Sequence, residues 1–278
     1  MILKVAGATL EITHGAELAS GERFEFGANW AKFLAHLGDA KISAAEASLS
    51  DMLGQHSLAG KRFVDVGSGS GLFSLAAHRL GAFVHSMDYD PESVACTAEL
   101  RRRYAPDATD WKVEEASALD PNYLGALGEF DVVYSWGVLH HTGNMRLAFE
   151  NMVPLVAPGG RLFLAIYNDQ GWRSRYWSLV KRLYNASAVG RAAVIASHAP
   201  FLYGGRLAAR AMTGRLKLER GMNLWYDFID WVGGYPFEVA TGAAVASFFE
   251  ERGFRLLRLR DVAPRSGCNE FLFEKLRN

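Results

Sequence analysis

The stretch Phe63–Asp90, FVDVGSGSGLFSLAAHRLGAFVHSMDYD, constrains the fold more than any other part of the chain. It follows directly on Arg62, and its opening run Phe63-Val64-Asp65-Val66 reads as a buried parallel strand. Gly67, Gly69 and Gly71 come next at alternate positions. Glycine tolerates φ > 0 and lets a ligand approach the backbone closely. Leu72–Ala77 then opens a helix that Gly81 stops, and Ala82–Met87 is a second strand ending in Asp88. Strand, glycine turn, helix, strand, acid is the plan of a nucleotide-binding half-fold. A carboxylate at that strand end can accept two hydrogen bonds from a ribose diol, and amides at the turn favour a negative group. The Gly67-x-Gly69-x-Gly71 spacing differs from the GxGxxG of a dinucleotide site. That spacing argues against a nicotinamide-dependent oxidoreductase.

The segment VDVGSGSG resembles motif I of class I S-adenosylmethionine (SAM) methyltransferases. The resemblance implies a cofactor site built from Asp65, Gly67, Ser68, Gly69, Gly71, Asp88 and Tyr89, with Asp88 on the ribose. It implies SAM as cofactor and S-adenosylhomocysteine (SAH) as product. Downstream, Trp111-Lys112-Val113 reads as a third strand, followed by Glu114-Glu115-Ala116. In similar methyltransferases an acid–alanine pair at this point meets the adenine, which assigns Glu115 and Ala116, with Glu114 as the alternative. Phe130–Ser135 is a fourth strand, and DVVYSWGVLHHTGN resembles the family's motif IV, which implies Ser135 or Trp136 beside the methionine part of SAM. His140 and His141 are the chain's adjacent histidines, and an imidazole titrating near neutrality suits a general base. A structural hydrogen-bonding role is the alternative for either ring.

The rest of the fold follows in order. Leu3–Ile12 alternates like a hairpin broken at Ala6-Gly7, and helices are expected over Trp30–Leu37 and Ala44–Gln55. The segment before motif I commonly caps the cofactor cleft in the resembling family, which implies ligand contact by Asn29 and Trp30. A helix from Pro91 to about Tyr104, another over Met145–Val156, and a fifth strand Arg161–Tyr167 complete a doubly wound series. Thr241–Arg252 reads as helix, Phe254–Val262 as a sixth strand and Asn269–Lys275 as a seventh. The expected fold is therefore α/β, a doubly wound Rossmann-like seven-stranded sheet. The resemblance places its last strand antiparallel between the fifth and sixth. The expected segments are an N-terminal hairpin and helical cap (1–57), a SAM-binding core (58–168), an insertion (169–238) and a C-terminal completion of the sheet (239–278).

The insertion after the fifth strand carries the remaining acceptor candidates. Trp172, Tyr176, Leu179, Val180 and Leu183 lie at helical spacing. From Gln170 to Arg220 the bases are Arg173, Arg175, Lys181, Arg182, Arg191, Arg206, Arg210, Arg215, Lys217 and Arg220, against Glu219 alone. Such a patch can receive a phosphate, a carboxylate or an anionic surface, or simply be a solvated face. The segment Gly221–Glu238 mixes aromatics, acids and glycines in the manner of a substrate lid. It resembles a subgroup of methyltransferases likened to ubiquinone-biosynthesis O-methyltransferases. Tyr167, Asn168, Trp172, Arg173, Arg175, Asp227, Trp231, Tyr235 and Asn269 are the expected acceptor contacts, with Glu270 a weaker candidate, and Asp227, Asp230, Tyr235 and Glu238 offer hydrogen-bond acceptors or an alternative base.

Composition narrows the partners. The formal charge of the 278 residues is zero, so no global attraction to nucleic acid or membrane follows. The fourth strand lacks the Asn/Asp-Pro-Pro-aromatic motif of many base-amino methyltransferases, which disfavours a nucleic-acid acceptor. Cys96 and Cys268 have no metal-ligand spacing, and two cysteines make no disulfide framework, so no metal and a reduced cytoplasmic setting are expected. The N-terminal apolar run is too soon polar for a signal peptide, and no apolar stretch is long enough to span a bilayer. The expected activity is methyl transfer, by O-methylation, to a small amphiphilic or anionic acceptor, with peripheral surface contact through the basic insertion. A nucleic-acid methyltransferase or a non-catalytic SAM-binding protein is the alternative.

Overall fold

The computed structural model describes residues 2–5, 8–11, 14–27, 30, 34, 37–205 and 224–277. Strands β1 (Ile2–Val5) and β2 (Ala8–Glu11) form the expected antiparallel hairpin, with Val5 opposite Ala8. Helix α1 spans His14–Ala19. Helix α2, Asp39–Leu53, begins five residues before the expected Ala44. Its N-cap is Gly38, extended and without a side-chain cap, so no polar capping signal marks the start. Gly54 ends it at φ 62°.

The main sheet is built from β3 (Arg62–Val66), β4 (Phe83–Asp88), β5 (Trp111–Glu115), β6 (Phe130–Trp136), β7 (Val156–Tyr167), β8 (Phe254–Arg260) and β9 (Cys268–Lys275). Its order is β5-β4-β3-β6-β7-β9-β8. The first five of these strands run parallel, and β9 enters antiparallel between β7 and β8. The expected seven-stranded architecture is therefore observed. The crossover helices are α3 (Leu72–Arg79), α4 (Pro91–Tyr104), α5 (Pro121–Leu127) and α6 (Met145–Leu155). Helix α5 has no counterpart among the expected helices, although Asp120 caps it by accepting from the Asn122 and Tyr123 amides, with Pro121 in its first turn. Strand β7 starts at Val156, upstream of the expected start at Arg161.

The period of two along each strand sorts the core into two layers. Phe63 and Val132 join Ile42, Leu49, Leu75 and Phe163 on one face of the sheet. Val64 and Val133 join Leu164, Phe249 and Phe273 on the other.

The remaining helices are α7 (Trp172–Ala186), α8 (Ala188–Ala199), α9 (Leu224–Gly233) and α10 (Gly242–Glu250). The chain divides into two compact units, Phe26–Ser174 with Phe237–Asn278, and Met1–Glu25 with Arg175–Pro236. This grouping joins the N-terminal segment to the inserted helices, a long-range pairing that sequence order does not reveal.

The second unit has its own buried residues, Phe24, Val180, Tyr184, Val194, Phe228 and Val232. Phe24 donates its amide to the Tyr235 carbonyl at 2.8 Å. Lys181, expected among the exposed bases, is fully buried here. Its Nζ donates to the Trp231 carbonyl and lies 4.9 Å from the Trp231 ring centre. Burial lowers its pKa to about 7, against the pull of Asp230. The folded state thus holds this proton less tightly than the unfolded chain, and stability rises with pH between about 7 and the ordinary lysine value. Lys181→Leu should therefore raise the melting temperature at neutral pH, by a margin that shrinks towards pH 10. A melting temperature that falls on substitution at every pH would show that the buried ammonium is net stabilising.

Candidate active site

The chain reverses direction across the sheet between β3 and β6, and the carboxyl ends of parallel strands at such a switch point are where open α/β folds bind ligands. The glycine turn lies there. Gly67 and Gly69 have φ of 84° and 54°, backbone that a side chain rarely adopts. A Cβ on Gly67 would overlap the Val138 side chain, and one on Gly69 would lie 3.1 Å from the Trp30 indole. Of the expected N-terminal ligand contacts, Trp30 therefore stands against the turn. Asn29 and most of the expected Trp30–Leu37 helix lie outside the described residues.

Asp88, at the end of β4, accepts from the Gly69 amide at 2.9 Å and from the Asp90 amide at 3.0 Å. These bonds tie the turn to the next strand end. Burial raises its pKa to about 6, although both amide bonds oppose the shift. Glu115 is paired in register with Asp88 on β5, and the Ala116 amide donates to the Asp88 carbonyl at 2.9 Å. Glu114, the alternative, points the other way. Its carboxylate receives the Tyr123 hydroxyl at 2.8 Å and lies 3.0 Å from His85. Alternation along the strand thus leaves Glu115 on the Asp88 side. Tyr89 is half-buried beside them.

Other expected cofactor residues are engaged inside the fold. Asp65 is buried and accepts from the Ser74 hydroxyl at 2.6 Å, in a chain that continues through Ser86 to the Trp111 indole. Burial raises its pKa to about 7, with Asp88 adding to the shift. Ser68 meets the Thr97 hydroxyl at 2.9 Å, and Ser135 donates to the Val66 carbonyl at 2.8 Å, bridging β6 to β3. Gly71 packs against Thr97, where a Cβ would come within 2.9 Å.

On the other side of the switch point the aromatic and imidazole groups converge. Trp136 ends β6 half-buried and donates its indole N–H to Glu270 at 3.2 Å. His140 and His141 follow in a short 3-10 turn, Leu139–His141. Their rings are 4.4 Å apart, and His140 lies 4.1 Å from the Tyr167 ring. Phe26 covers His141 at 5.0 Å, and Phe237 covers Tyr167 at 5.3 Å. Both histidines are buried, His140 completely. The turn is held from behind by Glu238, whose amide donates to the His140 carbonyl at 2.9 Å. The Glu238 carboxylate accepts from the Met145 amide at the start of α6, and burial raises its pKa. This acid, considered as an alternative base, is therefore a brace for the histidine turn.

Several expected acceptor contacts serve the fold instead. Asn269 is fully buried, donating to the Asn168 side chain at 3.2 Å and accepting from the Val262 amide at 2.9 Å. The pair latches β9 to the end of β7, so neither amide faces an open edge. Trp172, Arg173 and Arg175 are exposed along α7. Trp231 and Tyr235 belong to the helical unit, where their carbonyls hold Lys181 and Phe24. The Asp227 side chain and Arg206, Arg210, Arg215, Lys217 and Arg220 lie outside the described residues. Among the described residues no cluster of His, Cys, Asp and Glu could hold a metal ion. Sequence reasoning missed Asp90 and Val138. Asp90 caps α4 and accepts from the Gly27 amide at 2.7 Å, and its place before Pro91 is a readable capping signal. No local signal places Val138 against Gly67.

Parallel strands wound in this order, with an antiparallel strand inserted between the last two positions and an acid-flanked glycine turn at the switch point, define the class I methyltransferase architecture. Comparison with known proteins agrees. Residues 64–162 match the family described as Methyltransferase domain. The ubiquinone biosynthesis O-methyltransferase of Xanthomonas oryzae pv. oryzae is 35% identical over 111 residues, 40% of this chain. The match covers 45% of that relative, so the chain spans about half the length of the curated relatives it matches. Among solved structures, magnesium protoporphyrin IX methyltransferase from Synechocystis PCC 6803, with SAH bound, superposes with a TM-score of 0.52. The match covers 84% of this chain and 83% of that one at 14% identity, a likeness of fold. An O-methyltransferase family protein from Burkholderia thailandensis gives 0.53 over 95% of this chain and 68% of its own, also at 14% identity. The chain carries a methyltransferase domain of class I architecture.

Proposed function

We propose that the chain is a SAM-dependent methyltransferase acting on a small-molecule acceptor through an oxygen atom. The observation that carries this reading is the division of labour along one sheet edge. Two carboxylates, Asp88 and Glu115, stand in register on one side of the glycine turn, and Trp136, the His140–His141 turn and Tyr167 stand on the other. The first set suits an adenosine: Asp88 for the ribose diol, Glu115 and the Ala116 backbone for the adenine edge. Trp136 and Tyr167 of the second set suit a sulfonium, since their ring faces attract a cation. SAM would supply an electrophilic methyl group there.

The residues' own work is then positioning and one proton transfer. Tyr167 and Trp136 offer flat surfaces that hold an acceptor and exclude water. His141, the less buried histidine, takes the acceptor's hydroxyl proton on a ring nitrogen, and His140 and Glu238 fix the turn that presents it. An acceptor whose oxygen loses a proton to an imidazole is a phenol, an enol or a carboxylic acid. The O-methyltransferases among the relatives accord with that class.

The test is transfer of isotope-labelled methyl from SAM to a panel of phenols, carboxylic acids and amines. The reading expects label in one of the oxygen acids, and His141→Ala to lower turnover by about 100-fold or more while leaving SAM affinity within a few-fold. Label confined to amines, or unchanged turnover in the variant, would overturn the oxygen chemistry and the base respectively.

A further inference from the structure

We infer that the outer face of α7, continued by α8, is a docking surface for an anionic phospholipid bilayer. At 3.6 residues per turn, Trp172, Tyr176, Leu179 and Leu183 fall within about 60° of arc on α7. Their spacing is that of a core stripe, but the helix buries the opposite side, through Val180, Lys181 and Tyr184. The stripe itself faces solvent, with Trp172 68% and Leu179 65% exposed. Helix α8 packs beside α7, with the Tyr176 hydroxyl 2.7 Å from His198 and Gly190 set against the Leu183 carbonyl. It adds Val189, 80% exposed, and is followed by Phe201, 79% exposed. Scattered apolar side chains on a surface are ordinary, but a continuous stripe carrying Trp, Tyr and Leu marks an interaction face.

Charge selects the occupant. From Gln170 to Gly205 the sequence has no Asp or Glu, and Arg173, Arg175, Arg182 and Arg191 are exposed. The nearest preceding acid, Asp169, lies before the helix and accepts from the Gly171 amide at 2.8 Å. On the helical projection Arg175 and Arg182 flank one side of the stripe and Arg173 the other. A second copy docked through this face by two-fold symmetry would set arginine against arginine, with no acid in Gln170–Gly205 to answer it. An anionic bilayer satisfies both features. Apolar side chains enter the headgroup–acyl boundary, Trp and Tyr suit that interface, and guanidinium groups pair with phosphates. No helix of the described residues is long and apolar enough to cross a membrane, so the contact is interfacial.

The test is co-sedimentation of the full chain with phosphatidylcholine vesicles and with vesicles that also contain phosphatidylglycerol. The protein should sediment with the anionic vesicles, remain in solution with the neutral ones, and be released as salt rises. Leu179→Ser with Leu183→Ser should weaken binding by about tenfold or more, and Arg182→Gln with Arg191→Gln by about fivefold or more. Unchanged SAM affinity, by calorimetry, shows that each variant is folded and keeps this test separate from the functional assignment. Absence of vesicle binding, equal binding to neutral vesicles, or undiminished binding by the Leu variant would overturn the inference. A dimer seen by light scattering and lost in the Leu variant would give the face to a second copy instead.

Discussion

Asp88→Ala should lower the affinity for SAM by about 100-fold or more. A carboxylate receiving both hydroxyls of a ribose makes two charge-assisted hydrogen bonds, each worth about 1.5–3 kcal/mol. Losing both costs about 3 kcal/mol or more, and about 1.4 kcal/mol is a factor of ten. Asp88 also accepts from the Gly69 and Asp90 amides, so its removal loosens the glycine turn itself. Asp88→Asn retains one acceptor oxygen and should lose less. The same residue predicts a pH dependence. Its carboxyl titrates near pH 6 in the free protein because burial disfavours the charge. A diol donates to the ionised form, so affinity should be level above that value and fall on acidification through it. Calorimetric titrations between pH 7.5 and 5 read this directly. Affinity independent of pH in wild type, together with near-normal binding by Asp88→Ala, would remove Asp88 from the site.

Gly67→Ala should destabilise the protein and weaken SAM binding together. An alanine at φ 84° costs about 1–2 kcal/mol. Its Cβ would also overlap Val138, and overpacking of this kind typically costs about 1–3 kcal/mol. Val138 leads directly into the Leu139–His141 turn, so the added methyl displaces the histidine pair as well as the glycine turn. Adding Val138→Ala removes the closest overlap, with the two Val138 methyl groups, but leaves the Val138 Cβ 2.8 Å from the added methyl and leaves the backbone cost. The double variant should therefore recover part of the melting temperature and part of the SAM affinity lost by Gly67→Ala. Purely additive losses would show that the turn and the histidine segment are not packed as described.

The architecture was legible because its signals are local. The glycine spacing, the acid after the second strand, and the apolar strand runs each lie within a few residues, and the place of the antiparallel last strand was implied by the family those motifs resemble. What was not legible depends on distant contacts. Periodicity shows which residues share a helix face but not which face packs, so the spacing of Trp172, Tyr176, Leu179 and Leu183 marked a stripe without revealing that it stands in solvent. Lys181 read as a surface base for the same reason. Asn269 lies at the active edge in sequence, yet its amide is spent on Asn168 and Val262 across the strand ends. Glu238 was visible as one of several acids in an aromatic stretch. Its bracing of the His140 carbonyl and the start of α6 emerges only from a contact nearly a hundred residues distant in sequence.

The central claim is that the edge formed by Gly67–Gly71, Asp88 and Glu115 binds SAM. Native mass spectrometry of the purified protein, with SAM, SAH and NAD added in turn, tests it most directly. The account predicts one SAM or one SAH per chain, retained natively and released on denaturation, and no NAD adduct. A chain that binds NAD in its place, or that stays empty in excess SAM, would contradict it.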